Sequence, residues 1–212
     1  MGIKENLNKL RSNISPDITL VAVSKTKPVN DLLVAYHAGQ RDFGENKIQE
    51  MASKWEQLPK DIRWHMIGHV QTNKVKYMTP FVHTIHAVDS LKLLKEIQKQ
   101  AHKNDRVIEC LIQIRIAEEE TKFGLLESEL DELLEVAKNF SNVNIKGLMG
   151  MATFTTNNDQ IRNEFKQLAA CFKRHSDFET LSMGMSGDFP IAIEEGATMI
   201  RVGSKIFGER NY

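Results

Sequence analysis

The chain has 212 residues, 41% of them hydrophobic and 26% charged, which is enough to bury a sizeable core and short for two full domains. Its 28 Lys and Arg are balanced by 28 Asp and Glu, so no basic stripe points to nucleic acid, and partners are expected in a pocket rather than across a charged face. The two cysteines, Cys110 and Cys171, share no metal-ligand spacing and are too few for a disulfide framework, which fits a reducing compartment.

The opening MGIKENLNKLRSNIS lacks an apolar signal core, and Asn6 stands where a myristoylation motif wants Ser or Thr. No apolar run approaches the ~18 residues of a membrane span. These features predict a cytoplasmic protein without a membrane partner. Residues 2–13 read as a short amphipathic helix with Ile3, Leu7 and Leu10 on one face. Residues 19–24 (TLVAVS) read as a buried strand, followed by a helix over 31–37 that Gly39 closes. A very short strand begins at Asp42 and Phe43, and a helix follows over 47–57. Residues 63–67 form a third strand and 72–77 a short helix. Residues 84–88 form a fourth strand, and Asp89-Ser90 caps the helix that runs to 102. Strand 107–116, helix 127–139, strand 143–149 and helix 159–174 continue the rhythm. A seventh strand spans 180–185. Helix 188–195 has Pro190 in its first turn and Gly196 just past its end. Strand 199–202 and a short closing helix complete the chain.

Eight strands, each followed by a helix, imply a parallel sheet with crossovers, and eight is the number that closes a (β/α)8 TIM barrel. Residues 1–212 are read as one such domain, compact against the ~250 residues usual for the fold. The rival is an open doubly wound sheet, which usually has a Gly-rich turn after its first strand. Here that turn reads SKTKP.

In such barrels the chemistry sits where strands end and loops begin. Lys25 follows the first strand, where partial burial would lower its pKa and free a nucleophilic amine for imine formation. A solvated surface lysine is the plainer alternative. Ser186-Gly187-Asp188 and Gly203-Ser204 follow the seventh and eighth strands, the two loops that usually bind phosphate in barrels. Glycine lets backbone N–H groups approach an anion, and helix N-termini favour it. Helix capping would also explain these residues. Arg201 lies within the eighth strand, with Ile200 and Val202 facing the other way, so it points to the barrel axis or to a neighbouring helix. His65 in the third strand and Asn46 after the second could touch a ligand at the mouth. Met149, at the end of the sixth, fits packing equally well.

Taken together and in order, Val23-Ser24-Lys25, Phe43-Gly44-Glu45-Asn46, Trp64-His65 with Ile67-Gly68, Gln71-Thr72-Asn73-Lys74, Gly147-Leu148-Met149, Leu181 through Ser186, and Arg201 through Gly203 to Ile206-Phe207-Gly208 resemble the pyridoxal phosphate homeostasis proteins. The resemblance spans nearly the whole chain. That family is similar in turn to the barrel domain of alanine racemases, the fold-type III arrangement. The resemblance implies that pyridoxal 5′-phosphate (PLP) is held as a Schiff base on Lys25. It also implies that Ser186, Gly203 and Ser204 hold the phosphate, that Arg201 faces the pyridine nitrogen, and that Asn46, His65 and Met149 lie near the cofactor. Gln113-Ile114-Arg115 departs from the family's usual Gln-Val-Asn, and Gly150 and Thr153 stand where Thr and Pro are common.

The resemblance further implies PLP carriage with little or no turnover. An arginine beside the pyridine nitrogen keeps it unprotonated and a poorer electron sink. The chain stops at Tyr212, where racemases continue into a C-terminal β-domain that supplies a second acid or base. A small racemase-like enzyme is the alternative, and an aldolase-type imine on Lys25 without PLP a third reading. Recipient apo-enzymes would be the partners. With no coiled-coil heptad, a monomer is expected.

Overall fold

The computed structural model describes residues 2–119 and 123–209. Helix α1 (Ile3–Ser12) buries Leu7 and Leu10, and Asn6 Nδ2 donates to the Ile206 carbonyl at 3.1 Å, tying the start of the chain to its last helix. Then come β1 (Thr19–Val23), α2 (Val29–His37), β2 (Asp42–Glu45), α3 (Ile48–Gln57) and β3 (Arg63–Met66), followed by a 3-10 helix over Thr72–Tyr77. Next are β4 (Thr84–Val88), α4 (Leu91–Lys103), β5 (Ile108–Gln113), α5 (Leu130–Ala137), β6 (Val143–Met149) and α6 (Asn158–Lys173). The last elements are β7 (Thr180–Ser182), α7 (Phe189–Glu194), β8 (Met199–Val202) and α8 (Ser204–Phe207). Ser90 caps α4 by accepting from the Leu93 N–H, and Asn157 caps α6 through Asp159 and Gln160, which satisfies donors that lack intrahelical partners.

All eight strands are parallel and close into a barrel in sequence order. The closing seam pairs β1 with β8, from Thr19 opposite Met199 to Ala22 opposite Val202. This is the (β/α)8 architecture expected from the strand rhythm. No helix among the described residues is long and apolar enough to cross a membrane.

Two expected strands end three residues earlier than their patterns. The seventh ends at Ser182 rather than 185, because Gly184 takes φ 92° and the chain turns to bring α7 close. A Cβ at Gly184 would lie 2.6 Å from that of Ala192. The fifth ends at Gln113 rather than 116. Beyond it Ile114 bridges Leu125, and the Arg115 N–H donates to the Leu125 carbonyl at 2.9 Å, so the following loop folds back on the strand end.

The apolar core lies between strands and helices, with Trp64, Phe43, Phe165, Leu32, Leu94 and Ile97 among its fully buried side chains. The lumen is different. TIM-barrel lumens are usually filled by branched apolar residues. Here the alternating inward positions carry Asp42 on β2, His65 on β3, His86 on β4, Ser182 on β7 and Arg201 on β8, all buried. Arg63 donates to Asp42 through Nε at 2.7 Å and Nη2 at 2.5 Å, and His65 Nε2 lies 3.0 Å from the same carboxylate. Burial pushes the Asp42 carboxyl upward, but the hydrogen bonds from His65 and Arg63, with the Arg63 charge, hold it well below the usual carboxylate range.

Two stability tests follow from this architecture. Gly147 sits at φ 151°, and a Cβ there would lie 2.0 Å from the Thr180 carbonyl oxygen. Gly147→Ala is expected to cost about 2–4 kcal/mol in strain and overpacking, read from urea unfolding. Asp42 has a folded pKa below its unfolded one, so its stabilisation is complete above the ordinary carboxylate range. It is lost as the pH falls through that range toward the lowered folded value. The stability gap between wild type and Asp42→Asn is therefore expected to narrow as unfolding is measured from pH 7 toward pH 3 (about one unit below the ordinary Asp value). A gap that stayed constant would refute the depressed pKa.

Candidate functional site at the carboxyl end of the barrel

The seam between β1 and β8 brings together three loops that are far apart in sequence. Lys25 follows β1 and is half-buried. Gly203 begins the turn after β8, packed so closely on β1 that a Cβ there would lie 3.1 Å from the Val23 carbonyl oxygen. The Gly203 N–H donates to Ser186 Oγ at 3.2 Å, joining this loop to the one after β7. That loop is shaped by Asp188, whose Oδ1 accepts from the Met185 N–H at 2.5 Å. The backbone N–H groups of Ser186, Gly187 and Ser204 have no acceptor among the described residues, and Gly187 has open space where a Cβ would stand. The two loops thus present a cluster of donors suited to an anion, and Lys25 lies on the adjoining strand end.

The Lys25 segment is braced from behind. Residues on the outward side of β1 and β2 face α3, where Lys54 is buried. Its Nζ donates to the Ser24 carbonyl at 2.8 Å, to Glu45 Oε1 at 2.7 Å and to Glu50 Oε1 at 2.7 Å. Ser24 Oγ donates to Glu45 Oε1 at 2.6 Å, and the Thr26 N–H donates to Glu50 Oε1 at 2.6 Å. The backbone on both sides of Lys25 is therefore fixed by charge-assisted hydrogen bonds, the strong class, and Thr26 is held at φ 65°. Burial raises the Glu45 carboxyl, against the opposing pull of Lys54. Lys27 anchors the other edge by donating to the Phe207, Gly208 and Glu209 carbonyls after α8.

Arg201 points into the lumen beneath this mouth. Nη1 donates to Ser182 Oγ at 2.6 Å and Nη2 to the Gly150 carbonyl at 2.9 Å. Burial pushes the guanidinium down to about 10, which leaves it charged at neutral pH. Asn46 is half-buried at the end of β2, under Gly68, where a Cβ would come within 2.5 Å of the Asn46 carbonyl oxygen. Met149 is fully buried, packed with Ala87 and Leu111.

His65 departs from the expectation of a mouth residue. It is 2% exposed, and both ring nitrogens are engaged, Nδ1 with His86 at 2.9 Å and Nε2 with Asp42 at 3.0 Å, so no nitrogen is left for a ligand. His69, not singled out in the sequence, stands at the mouth instead. Its Nδ1 lies 3.0 Å from Asp89 Oδ2, and its ring stacks on Phe123 at 3.9 Å. Arg115, the departure from the usual asparagine, is half-buried beside the folded-back loop.

His86, Ser182, Lys54 and Glu50 are further site residues that motif reading passed over. The period-2 placement of polar residues in β2, β3, β4, β7 and β8 is a sequence signal that could have found the inward ones. The Lys54 brace has no such signal, because Glu50 and Lys54 look like an ordinary i, i+4 pair on a helix.

Comparison with known proteins agrees with this geometry. The family model "Alanine racemase, N-terminal domain" matches residues 2–211. A pyridoxal phosphate homeostasis protein of Aquifex aeolicus is 42% identical over 199 residues, covering 91% of this chain and 87% of that one. The structure of PipY from Synechococcus elongatus, solved with PLP bound, superposes with a TM-score of 0.90 at 34% identity, over 97% of this chain and 100% of that one. An alanine racemase of Clostridium difficile shares the fold, with a TM-score of 0.81 at 14% identity, and this chain covers 57% of it. The matched motifs, the barrel and full-length relatives at this identity lead to one conclusion: the chain belongs to the alanine racemase N-terminal domain family and, within it, to the pyridoxal phosphate homeostasis proteins.

Proposed function

We propose that this barrel binds pyridoxal 5′-phosphate through Lys25 and serves to hold and release it, in the cytoplasm and as a single-domain monomer over residues 1–212, for use by apo-enzymes. The observation that carries this reading is the convergence of Lys25 with two donor-rich loops at one strand seam, where Gly203 abuts Val23 and bonds Ser186. The relatives' shared name and the PLP-bound PipY structure support it.

The residues present fit the cofactor. The N–H groups of Ser186, Gly187 and Ser204, which have no acceptor among the described residues, match with the Ser204 hydroxyl a phosphate's need for donors, and no side chain stands in the way at Gly187. When bound, the cofactor supplies an aldehyde that amines capture reversibly and a ring able to accept electrons. The protein's part is positional. The Lys54 and Glu50 brace holds the Lys25 backbone still, so the amine is presented in one direction. Arg201 carries only donors, so a ring nitrogen placed against it would accept a hydrogen bond and would be kept unprotonated. Asn46 and Met149 would lie on the remaining sides. A ring that is not protonated stabilises carbanions poorly, which favours carriage over racemisation.

Purified protein mixed with pyridoxal phosphate is expected to develop a visible absorption band, and borohydride reduction followed by peptide mapping to place the adduct on Lys25. Lys25→Ala is expected to abolish both. No band, or an adduct scattered over many lysines, would overturn the reading. Glu50→Ala releases the Thr26 N–H. It is expected to weaken cofactor capture by roughly tenfold, the worth of one hydrogen bond to a charged group, while the adduct stays on Lys25.

A further inference from the structure

Below Arg201 a continuous run of hydrogen bonds crosses the lumen from β8 to β2. Arg201 Nη1 donates to Ser182 Oγ at 2.6 Å. Ser182 Oγ lies 3.1 Å from His86 Nδ1, His86 Nε2 lies 2.9 Å from His65 Nδ1, and His65 Nε2 lies 3.0 Å from Asp42 Oδ1. The step from His86 to Ser182 joins β4 to β7, which are not neighbours in the sheet, so the run passes through the barrel interior. His86 and Ser182 are completely buried, and the rest nearly so.

The ends of the run fix its direction. A guanidinium only donates, and an ionised carboxylate only accepts. Asp42 is kept ionised by Arg63 and His65, and burial keeps His86 neutral. The relay takes both histidines in their neutral form, in which each imidazole has one donor and one acceptor. His65 must then give its Nε2–H to Asp42 and accept at Nδ1. His86 must give its Nε2–H to His65 and accept at Nδ1. The Ser182 hydroxyl must donate to His86, which leaves its lone pairs for Arg201. Reversing any link sets two donors or two lone pairs face to face in a dry interior, a costly arrangement.

The two hydrogen-bond acceptors of Arg201, Ser182 Oγ and the Gly150 carbonyl, are neutral oxygens, and the Asp188 carboxylate also favours its charged form against burial. A buried guanidinium with neutral partners depends on how those partners are polarised. We propose that Ser182, His86, His65 and Asp42 form one positioning relay, in which the Asp42 carboxylate on the far side of the lumen fixes the orientation of the Arg201 guanidinium through three neutral links. Its consequence for cofactor retention rests on the proposed placement of Arg201 at the ring nitrogen. The relay itself is a property of the protein alone. The four are positioning residues, since none is placed against the cofactor.

The relay is tested first without cofactor, by nuclear magnetic resonance of protein labelled with nitrogen-15 in histidine and arginine. His65 and His86 are expected as neutral Nε2–H tautomers, and the Arg201 Nη protons as slowly exchanging, separate resonances. Asp42→Asn is expected to speed Arg201 Nη exchange several-fold although Asp42 does not touch Arg201. An Nδ1–H tautomer at either histidine, or Arg201 exchange indifferent to Asp42→Asn, would overturn the relay. If Asp42→Asn fails to fold, the wild-type tautomers and the conservative pair His86→Gln and His86→Leu decide instead. Glutamine offers one donor and one acceptor and should preserve slow Arg201 exchange, whereas leucine should not. Equal exchange in the two would refute the proposal.

Cofactor dissociation then reads the consequence in Ser182→Ala, Asp42→Asn and the double variant. A relay predicts that both single variants release the cofactor faster and that the double variant is no faster than Ser182→Ala. Multiplying effects would mean independent structural roles and would overturn the coupling. Failure of Lys25 to bind the cofactor would appear as no band in any variant, with the resonance results unaffected, so the two failures are distinguishable.

Discussion

The hydrogen bonding of β1 to β8 closes the barrel, and the site depends on that seam. The register of Thr19 with Met199 through Ala22 with Val202 sets the level at which both strands end. Lys25 and Gly203 therefore emerge side by side. A slip of one residue would turn every inward side chain of β8 outward, removing Arg201 from the lumen and parting Lys25 from the donor loops. Gly203 permits the close approach because a side chain there would press on the Val23 carbonyl. The tie from Asn6 to Ile206 and the three carbonyl contacts of Lys27 hold α8 against the start of the chain. Secondary contacts thus defend the same seam.

Two polar systems flank the Lys25 segment, and each solves the problem of charge in a dry place. Behind it, Lys54 meets Glu45 and Glu50, and its third bond goes to the Ser24 carbonyl. Burying such a pair seldom adds net stability, whereas breaking it is costly. What the arrangement contributes is definition of the backbone beside Lys25. Within the lumen, Arg201 and Asp42 are placed apart and joined through Ser182, His86 and His65. This spends positions that an ordinary barrel would fill with Val, Ile or Leu. The lumen system is stiff, because Ser182, His86 and His65 each have a partner on both sides.

His69 with Asp89 is the imidazole-carboxylate pair that the structure places at the mouth, and its ring is held flat against Phe123. The lumen histidines are spent on each other and on Asp42, and take no part at the rim.

The amino-acid sequence by itself determined the barrel and put Lys25 at the end of its first strand. Short β-prone runs alternating with helical stretches, with Ser90 and Asn157 at helix starts, are local signals that tertiary packing did not override. Lys25, Ser186, Gly203 and Ser204 stand out in the sequence because they follow expected strand ends, where barrel chemistry gathers. Strand ends were less legible. Residues 183–185 and 114–116 have strand-like composition, but Gly184 turns toward α7 and Leu125 folds back onto Ile114, and both events involve distant partners. The role of His65 was decided by the tertiary structure alone. A polar residue at an inward strand position can face the mouth or the lumen, and the choice depends on what the opposite strands supply. Here His86, Ser182 and Asp42 supply partners for every ring nitrogen, and so the histidine turns inward. The Lys54 brace likewise needs α3 laid across the ends of β1 and β2, a juxtaposition that no spacing along the chain encodes.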